Sequence, residues 1–510
     1  MVRRFAPGIP AAVLASMGLW ATGLQAQDAK TVLLAAETAM GSKDLKSIQY
    51  IGYGFSANLG QSVNPASPWP KFDMPTYSRT INFGDSSSKE EWTRIQGNNP
   101  VRGGGAPIMG EQKQNAEVAG AYAWNVTGAG PVAQSGLTLE ERRLQIFLTP
   151  QGFVQAAKLG NGCAINWDCE AKLSSKMDGT KKINVITAVV AGKYAVDATL
   201  DEHNLISKLE TKFPNPVLGD MPVVVNFGTY KDYNGVKFPA KITQTQGGYL
   251  VSEVTVTDVK PNEKADLAVP DAVRTAETPT PRVDVQLLSD GVWYLTGGTH
   301  HSLVVEFKDY MAIIEAPLNE DRSNAVLAEA KRLVINKPVK YLINTHHHFD
   351  HSGGLRTYVA EGATIITHPM NKAYYDQTFK AKATLAPDKL AKTPKAAVFA
   401  PWIEKDHFVL SDGTQKIDLY TMKDDNHNEG MLIAYIPSAK VIVEADEWNT
   451  PVAEVQPSTG TPSAATVNLY DNILRLKLDV NKIAPIHGRL VTMADLLKFL
   501  GKTAPEKPKS

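Results

Sequence analysis

The sequence predicts an α+β protein, in which a β-rich N-terminal domain precedes a C-terminal domain that alternates strands with helices. Three observations carry this expectation. Between Lys182 and Val259 about seven short alternating segments follow one another, joined by Gly, Asp and Asn turns. Beyond a Pro/Thr/Glu-rich stretch at residues 269–284, strand-like runs are interleaved with a helical pattern. Of the 11 histidines only His203 lies before residue 300, so metal-type side chains are confined to the second domain. The organisation read from these shifts is a signal peptide at 1–26, a β-rich domain at 27–268, a linker at 269–284 and a second domain at 285–510.

The N-terminus carries Arg3 and Arg4, an apolar stretch from Ile9 to Leu24, and then Gln25-Ala26-Gln27. This is the pattern of an export signal cleaved after Ala26. The run is short for a membrane span and is interrupted by Ser16, Gly18 and Gly23. No other segment is apolar enough to span, so the mature chain is expected to be periplasmic or secreted. A helical pattern covers Lys30 to Met40. The stretch to about residue 135 is rich in Gly, Ser, Asn and Pro and includes Val101-Arg-Gly-Gly-Gly-Ala106. One helix is expected from Leu137 to Leu159, with Glu140 and Glu141 in its first turn. Cys163 and Cys169, the only two cysteines, are expected to form a local disulfide in an oxidising compartment. The sequential short strands from Lys182 imply an antiparallel meander. Within them, Tyr230 to Lys241 resembles a hairpin of the curved sheets in lipoprotein-carrier-like domains. Nothing in this domain reads as catalytic, and it is expected to cover an active-site mouth or to support assembly.

In the second domain, Gly291–Leu295, Ser302–Phe307 and Met311–Glu315 read as a starting meander. Asp321 to Leu333 reads as a helix with an acidic first turn, and Val339–Asn344 as a strand. Formal charge is zero, with 53 Lys+Arg against 53 Asp+Glu, which excludes an electrostatic footprint for nucleic acid. A small molecule is the expected substrate. Oligomeric state stays open.

The strand ending at Asn344 delivers Asn-Thr-His-His-His-Phe-Asp-His-Ser-Gly-Gly, a His-x-His-x-Asp-His array of His346, His348, Asp350 and His351. Imidazole and carboxylate suit zinc and similar ions, and an unpaired buried carboxylate is costly, so packing alone explains the cluster poorly. Further candidates end later apolar runs: His427 in Asp424–Gly430, Asp446 after Val441–Ala445, and His487 after Ile483–Ile486. Loops at strand ends are where α/β sites usually lie.

As a set, these residues resemble the metallo-β-lactamase superfamily, over roughly residues 285 to 500. The resemblance implies an αββα sandwich and two zinc ions, with iron or manganese fitting the same donors. It puts His346, His348 and His427 on the first ion and Asp350, His351 and His487 on the second, with Asp446 bridging both. Asp350 is then the catalytic residue that orients a shared water and takes its proton. The implied activity is hydrolysis of an ester, lactone or amide bond, a β-lactam included. Three departures stand out. Ala445-Asp446, flanked by Glu444 and Glu447, replaces the family's frequent Gly-Asp, which leaves the bridge open to absence or to a neighbour. Ile314-Glu315-Ala316 stands where a strand commonly ends in Asp. Asn428-Glu429 replaces the usual Thr or Ser and Pro after the third histidine.

The other histidines divide. His347 is expected to point away from its ligand neighbours, His301 and His368 to line the substrate cleft, and His300 to join them. His203 and His407 read as surface or turn residues. Two other functions are compatible with the sequence, a mononuclear iron thiol dioxygenase on the same fold and a non-enzymatic envelope binding protein.

Overall fold

The structure is a computed structural model, and it describes residues 28–159, 171–265, 267–402 and 406–503. The signal segment and both cysteines lie outside the described residues, and so does the disulfide expected between the cysteines. No helix among the described residues is long and apolar enough to cross a membrane.

The first helix, Ala29–Met40, starts where Asp28 accepts a hydrogen bond from Thr31 N, and it buries Val32, Leu33, Ala36 and Met40. The described residues that follow form a thirteen-stranded antiparallel sheet with Gly130–Gln134 at one edge and Lys172–Asp178 at the other. Six of its strands lie between Ser47 and Gln134, in the Gly/Ser/Asn/Pro-rich stretch. The first strand, Ser47–Ala57, pairs with the last, Tyr249–Pro261, so the two ends of the domain meet mid-sheet. The single helix expected from Leu137 to Leu159 is two helices, Leu137–Phe147 and Pro150–Leu159. Pro150 explains the break: it lacks an N–H and its ring crowds the preceding turn, but it is well placed as the first residue of a new helix. The Tyr230–Tyr233 and Val236–Pro239 strands form a separate hairpin across Asn234 and Gly235, both at positive φ (55° and 86°). Such a pair of left-handed residues closes a tight two-residue turn.

The helices pack on the meander strands around Phe153, Leu144, Ile186, Val196 and Leu209. Phe153 is fully buried there. Truncating it to alanine should destabilise the domain by about 3–5 kcal/mol. Denaturant titration followed by tryptophan fluorescence checks this.

The C-terminal part is an αββα sandwich. A seven-stranded mixed sheet spans Asp284–Ser289 to Val398–Phe399, and a six-stranded sheet spans His407–Ser411 to Val491–Thr492. Between them lies a core of Val305, Ala312, Ile314 and Ile343 from one sheet with Leu419, Ile433, Val443 and Ile483 from the other. Helices Glu320–Leu333 and Leu355–Glu361 cover the outer face of the first sheet. Leu469 and Ile473 of helix Ala464–Arg475, with Leu496 and Leu497 of helix Met493–Leu500, cover the second. Four parallel-paired strands, Met311–Ile314, Val339–Ile343, Val441–Glu444 and Lys482–Pro485, bring their C-terminal ends to one rim. Two antiparallel neighbours, Ser302–Glu306 and Leu432–Ile436, begin at the same rim. The residues just before and after these six strands therefore converge.

Candidate metal centre

The rim assembles two sets of side chains whose donor atoms lie within 4.8 Å of one another: His346, His348, His427 and Asp446, and beside them His300, Asp350, His351 and His487. Asp446 stands between them. Its Oδ2 is 3.2 Å from His346 Nε2, 3.1 Å from His427 Nε2 and 2.9 Å from His351 Nε2, and its Oδ1 is 2.9 Å from His487 Nε2. Within the sets, His427 Nε2 lies 3.0 Å from His348 Nδ1, and His487 Nε2 lies 3.1 Å from His351 Nε2. Tetrahedral ligands about 2.0–2.1 Å from a zinc ion sit about 3.3 Å apart, so these spacings suit a shared ion.

Neighbouring groups select which nitrogen faces the centre. His351 Nδ1 donates to Glu315 Oε2 at 2.8 Å, leaving Nε2 for the second set. His348 Nε2 donates to the Ser62 carbonyl at 2.8 Å, leaving Nδ1 for the first. Such outer partners fix the tautomer and ring orientation of a metal-binding histidine. His346 Nε2 is fully buried and has no aligned hydrogen bond, although Asp446 Oδ2 is near. A buried, unsatisfied imidazole nitrogen aimed at a carboxylate and other imidazoles is what a ligand atom looks like, so the residues fit divalent ions.

The flanking acids do not compete with Asp446. Asp446 has φ 66°, a left-handed conformation at the end of its strand. Glu444 and Glu447 are buried beside it, outside both ligand sets. Glu444 Oε2 accepts from the backbone N–H of Glu447 and Trp448, while burial and the nearby Asp446 push its pKa up to about 8. Burial and the charges of Asp425 and Glu444 also push Glu447 well above the usual carboxylate range.

The other histidines separate by environment. His300, at the start of strand Ser302–Glu306, joins the second set with Nε2 3.3 Å from Asp350 Oδ2. His301, expected to line the cleft, turns the other way. It is buried with Nδ1 2.5 Å from the Tyr294 hydroxyl and Nε2 3.2 Å from the Gly298 carbonyl, because neighbouring residues at a strand's start face opposite sides. His368 accepts from Met370 N and lies near Trp402, outside both sets. His347 points away from the centre and is buried between the Ser62 hydroxyl and the Asn428 amide. His407 pairs with Asp418 and stacks on Tyr420, and His203 is exposed in a turn.

Two contributions have no signal in the sequence, Gln61 and Ser62, which arrive from the other domain, whereas His300, expected to line the cleft, stands among the candidate ligands. The clue to Glu315 was its unusual place at a strand end.

The charges bear on ion uptake. Burial would lower the His351 imidazole, but the carboxylates of Asp446 and Asp350 outweigh it and hold its pKa well above the ordinary value. Against the same burial, Asp446 and Asp425 raise His427. His346 is lowered to about 3 by burial and by His351. Without ions, the raised pKa values favour protonation of His351 and His427, with which an entering cation competes. Because their pKa values are raised, proton competition persists into the neutral range and fades as pH rises above it. Zinc uptake at neutral pH is therefore expected to release protons, with affinity rising with pH. Calorimetry in two buffers of different ionisation enthalpy checks this; identical heats would contradict it.

Comparison with known proteins agrees with the class that this fold and site define. Residues 277–447 match the family model described as the metallo-beta-lactamase superfamily. His487 lies beyond the matched segment. Among solved structures, the chain is similar to a metallo-beta-lactamase from Pontibacter korlensis, at 18% identity over 43% of this chain and 98% of that one, TM-score 0.32. It is also similar to the DIM-1 metallo-beta-lactamase exposed to ceftazidime, at 14% identity over 44% of this chain and 97% of that one, TM-score 0.33. No curated protein matches the chain.

Proposed function

We propose that this chain is an exported binuclear zinc hydrolase that cleaves an ester, lactone or amide bond, β-lactams included. The observation that carries the reading is Asp446, one carboxylate within 3.2 Å of imidazoles from both ligand sets. Two divalent ions, when bound, bring the pKa of a shared water toward about 7 and polarise the scissile carbonyl. The chain's own residues then have distinct tasks. Asp350 presents Oδ2 to the second set, 3.6 Å from His351 Nε2, and is the group that orients the water and takes its proton. Although burial would raise it, the charge of His351 and the hydrogen bond from His300 hold Asp350 well below the usual carboxylate range. Asp350 is thus held ionised, an acceptor of hydrogen bonds and a donor to a cation. His300 Nε2 lies 3.3 Å from that same Oδ2. Export is supported by Arg3, Arg4 and the apolar stretch from Ile9 to Leu24.

The test is metal analysis of the purified protein followed by chromogenic β-lactam, lactone, thioester and phosphoester substrates offered to the zinc-loaded chain. Two zinc equivalents with turnover of a carbonyl substrate support the reading. Absence of ions near stoichiometry, or one iron with oxygen uptake on a thiol, would sink it.

A further inference from the structure

We propose that Gln61, in the N-terminal domain, is a positioning residue of the metal centre. Its carboxamide holds Asp350 with Oδ2 toward the second ligand set, and the Gly103–Gly105 run seats it there. The assignment deepens the hydrolase reading and rests on it. Gln61 lies on the loop between strands Ser47–Ala57 and Lys71–Asn82, and its Nε2 donates to Asp350 Oδ1 at 2.7 Å. The next residue, Ser62, receives the His348 Nε2 proton on its carbonyl at 2.8 Å. One loop of the β-rich domain therefore touches a candidate ligand of each ion.

The loop is built to stay there. Asn58 Nδ2 donates to the Gly104 carbonyl at 3.0 Å, Gly104 N donates to the Gln61 carbonyl at 2.9 Å, and Arg94 donates to Asn58 Oδ1 at 2.7 Å. Across the domain boundary, Gly103 N donates to the Asn426 carbonyl and Glu429 N to the Val63 carbonyl, each at 2.8 Å, on either side of His427. Gly60 has φ 71°, and a Cβ there would stand 2.1 Å from the Phe349 ring, inside the histidine array. At Gly104 a Cβ would come 1.7 Å from Gln61 Oε1 and 2.8 Å from its Cδ. The glycine run, conspicuous in the sequence but without a role there, is a cradle whose missing side chain leaves room for the Gln61 amide. His300 Nε2 stands 3.3 Å from Oδ2, so Oδ1 is the oxygen left for an outer donor. A fixed donor on Oδ1 leaves Oδ2 aimed at His351, His487 and His300, and outer partners of this kind typically change metal affinity by about 10–100-fold.

The experiment measures zinc retention by the full-length protein against a chelating dye, for wild type, Gln61→Met, Gln61→Ala, Gly104→Ala and the Gln61→Ala/Gly104→Ala double variant. Gln61→Met keeps the bulk and loses the donor. Gly104 needs no positive φ, so alanine there is compatible with the backbone and displaces the flexible end of Gln61. Gln61→Met and Gly104→Ala should each release the second zinc at about 10–100-fold lower chelator strength. The first zinc and the thermal transition of the metal-free protein should be unchanged. The double variant should be no worse than Gln61→Ala, because both changes remove one hydrogen bond. Gln61→Met retaining both ions like wild type, or losses that multiply in the double variant, overturns the assignment alone. A wild-type chain that binds no ion overturns both the assignment and the hydrolase reading.

Discussion

Replacing Asp446 by alanine is expected to abolish stable binding of two ions and to cost more than about 100-fold in kcat/KM. The figure is a lower bound, because outer partners of metal ligands alone are worth about 10–100-fold and Asp446 is placed as a ligand. A 100-fold loss is about 2.7 kcal/mol of transition-state stabilisation. The expectation follows from geometry: no other carboxylate among the described residues lies within 3.2 Å of His346, His351, His427 and His487 together. Removing it leaves four imidazoles converging without the charge that holds them. Glu444 and Glu447 are the only acids near enough in sequence to substitute, and Glu444 is tied to the backbone N–H of Glu447 and Trp448. The matched control is Glu447→Gln, which should leave zinc stoichiometry near wild type. If Asp446→Ala keeps two zinc ions while Glu447→Gln loses one, the bridge has been assigned to the wrong acid. Elemental analysis after exhaustive dialysis reads out both variants.

The contrast between Asp446 and Gln61 shows which parts of such a site a sequence can reveal. The histidine array is legible because four ligand-type residues fall within six positions. His427, Asp446 and His487 are legible because each follows an apolar run, which places it on the rim of a sheet. Gln61 makes its contact across 289 residues and follows no periodic pattern, so only tertiary structure brings it to Asp350. Ser62 is recognised through its backbone carbonyl, which any residue could supply. The strands before residue 135 were obscured for a different reason. Strand Gln112–Ala119 buries only Glu117 and Val118, and half-exposed strands rich in Ser, Lys, Glu and Gln lack a clear apolar alternation. The αββα sheets show the opposite behaviour. Leu432–Ile436 and Val441–Glu444 are buried at every position, so they read as continuous apolar runs. The break between Leu137–Phe147 and Pro150–Leu159 is local and lies in the sequence itself, at Thr149-Pro150.

Glu315 is where stability and metal binding are expected to fail together. It is fully buried at the end of strand Met311–Ile314 and has φ 74°, a conformation that costs a non-glycine residue about 1–3 kcal/mol. What holds it there is a pair of hydrogen bonds. Oε1 accepts from Thr345 N at 2.7 Å and Oε2 from His351 Nδ1 at 2.8 Å, at the two ends of the histidine array. Alanine would leave both donors buried and unpaired, and breaking such a buried pair costs about 3–5 kcal/mol. Glu315→Gln is the sharper probe. Its single acceptor oxygen can serve Thr345 or His351 but not both, so the expected loss of stability is about 1–3 kcal/mol. Its amide N–H facing His351 Nδ1 would favour the tautomer with the proton on Nε2, the nitrogen needed by the second ion. Glu315→Gln is therefore expected to weaken the second zinc by about 10–100-fold, with the first retained. Thermal unfolding of the metal-free protein and chelator competition separate the two effects. If Glu315→Gln unfolds earlier but holds both ions as wild type does, Glu315 only secures the strand end. Selective loss of the second ion makes the tautomer of His351 the link between the buried carboxyl and the chemistry at the rim.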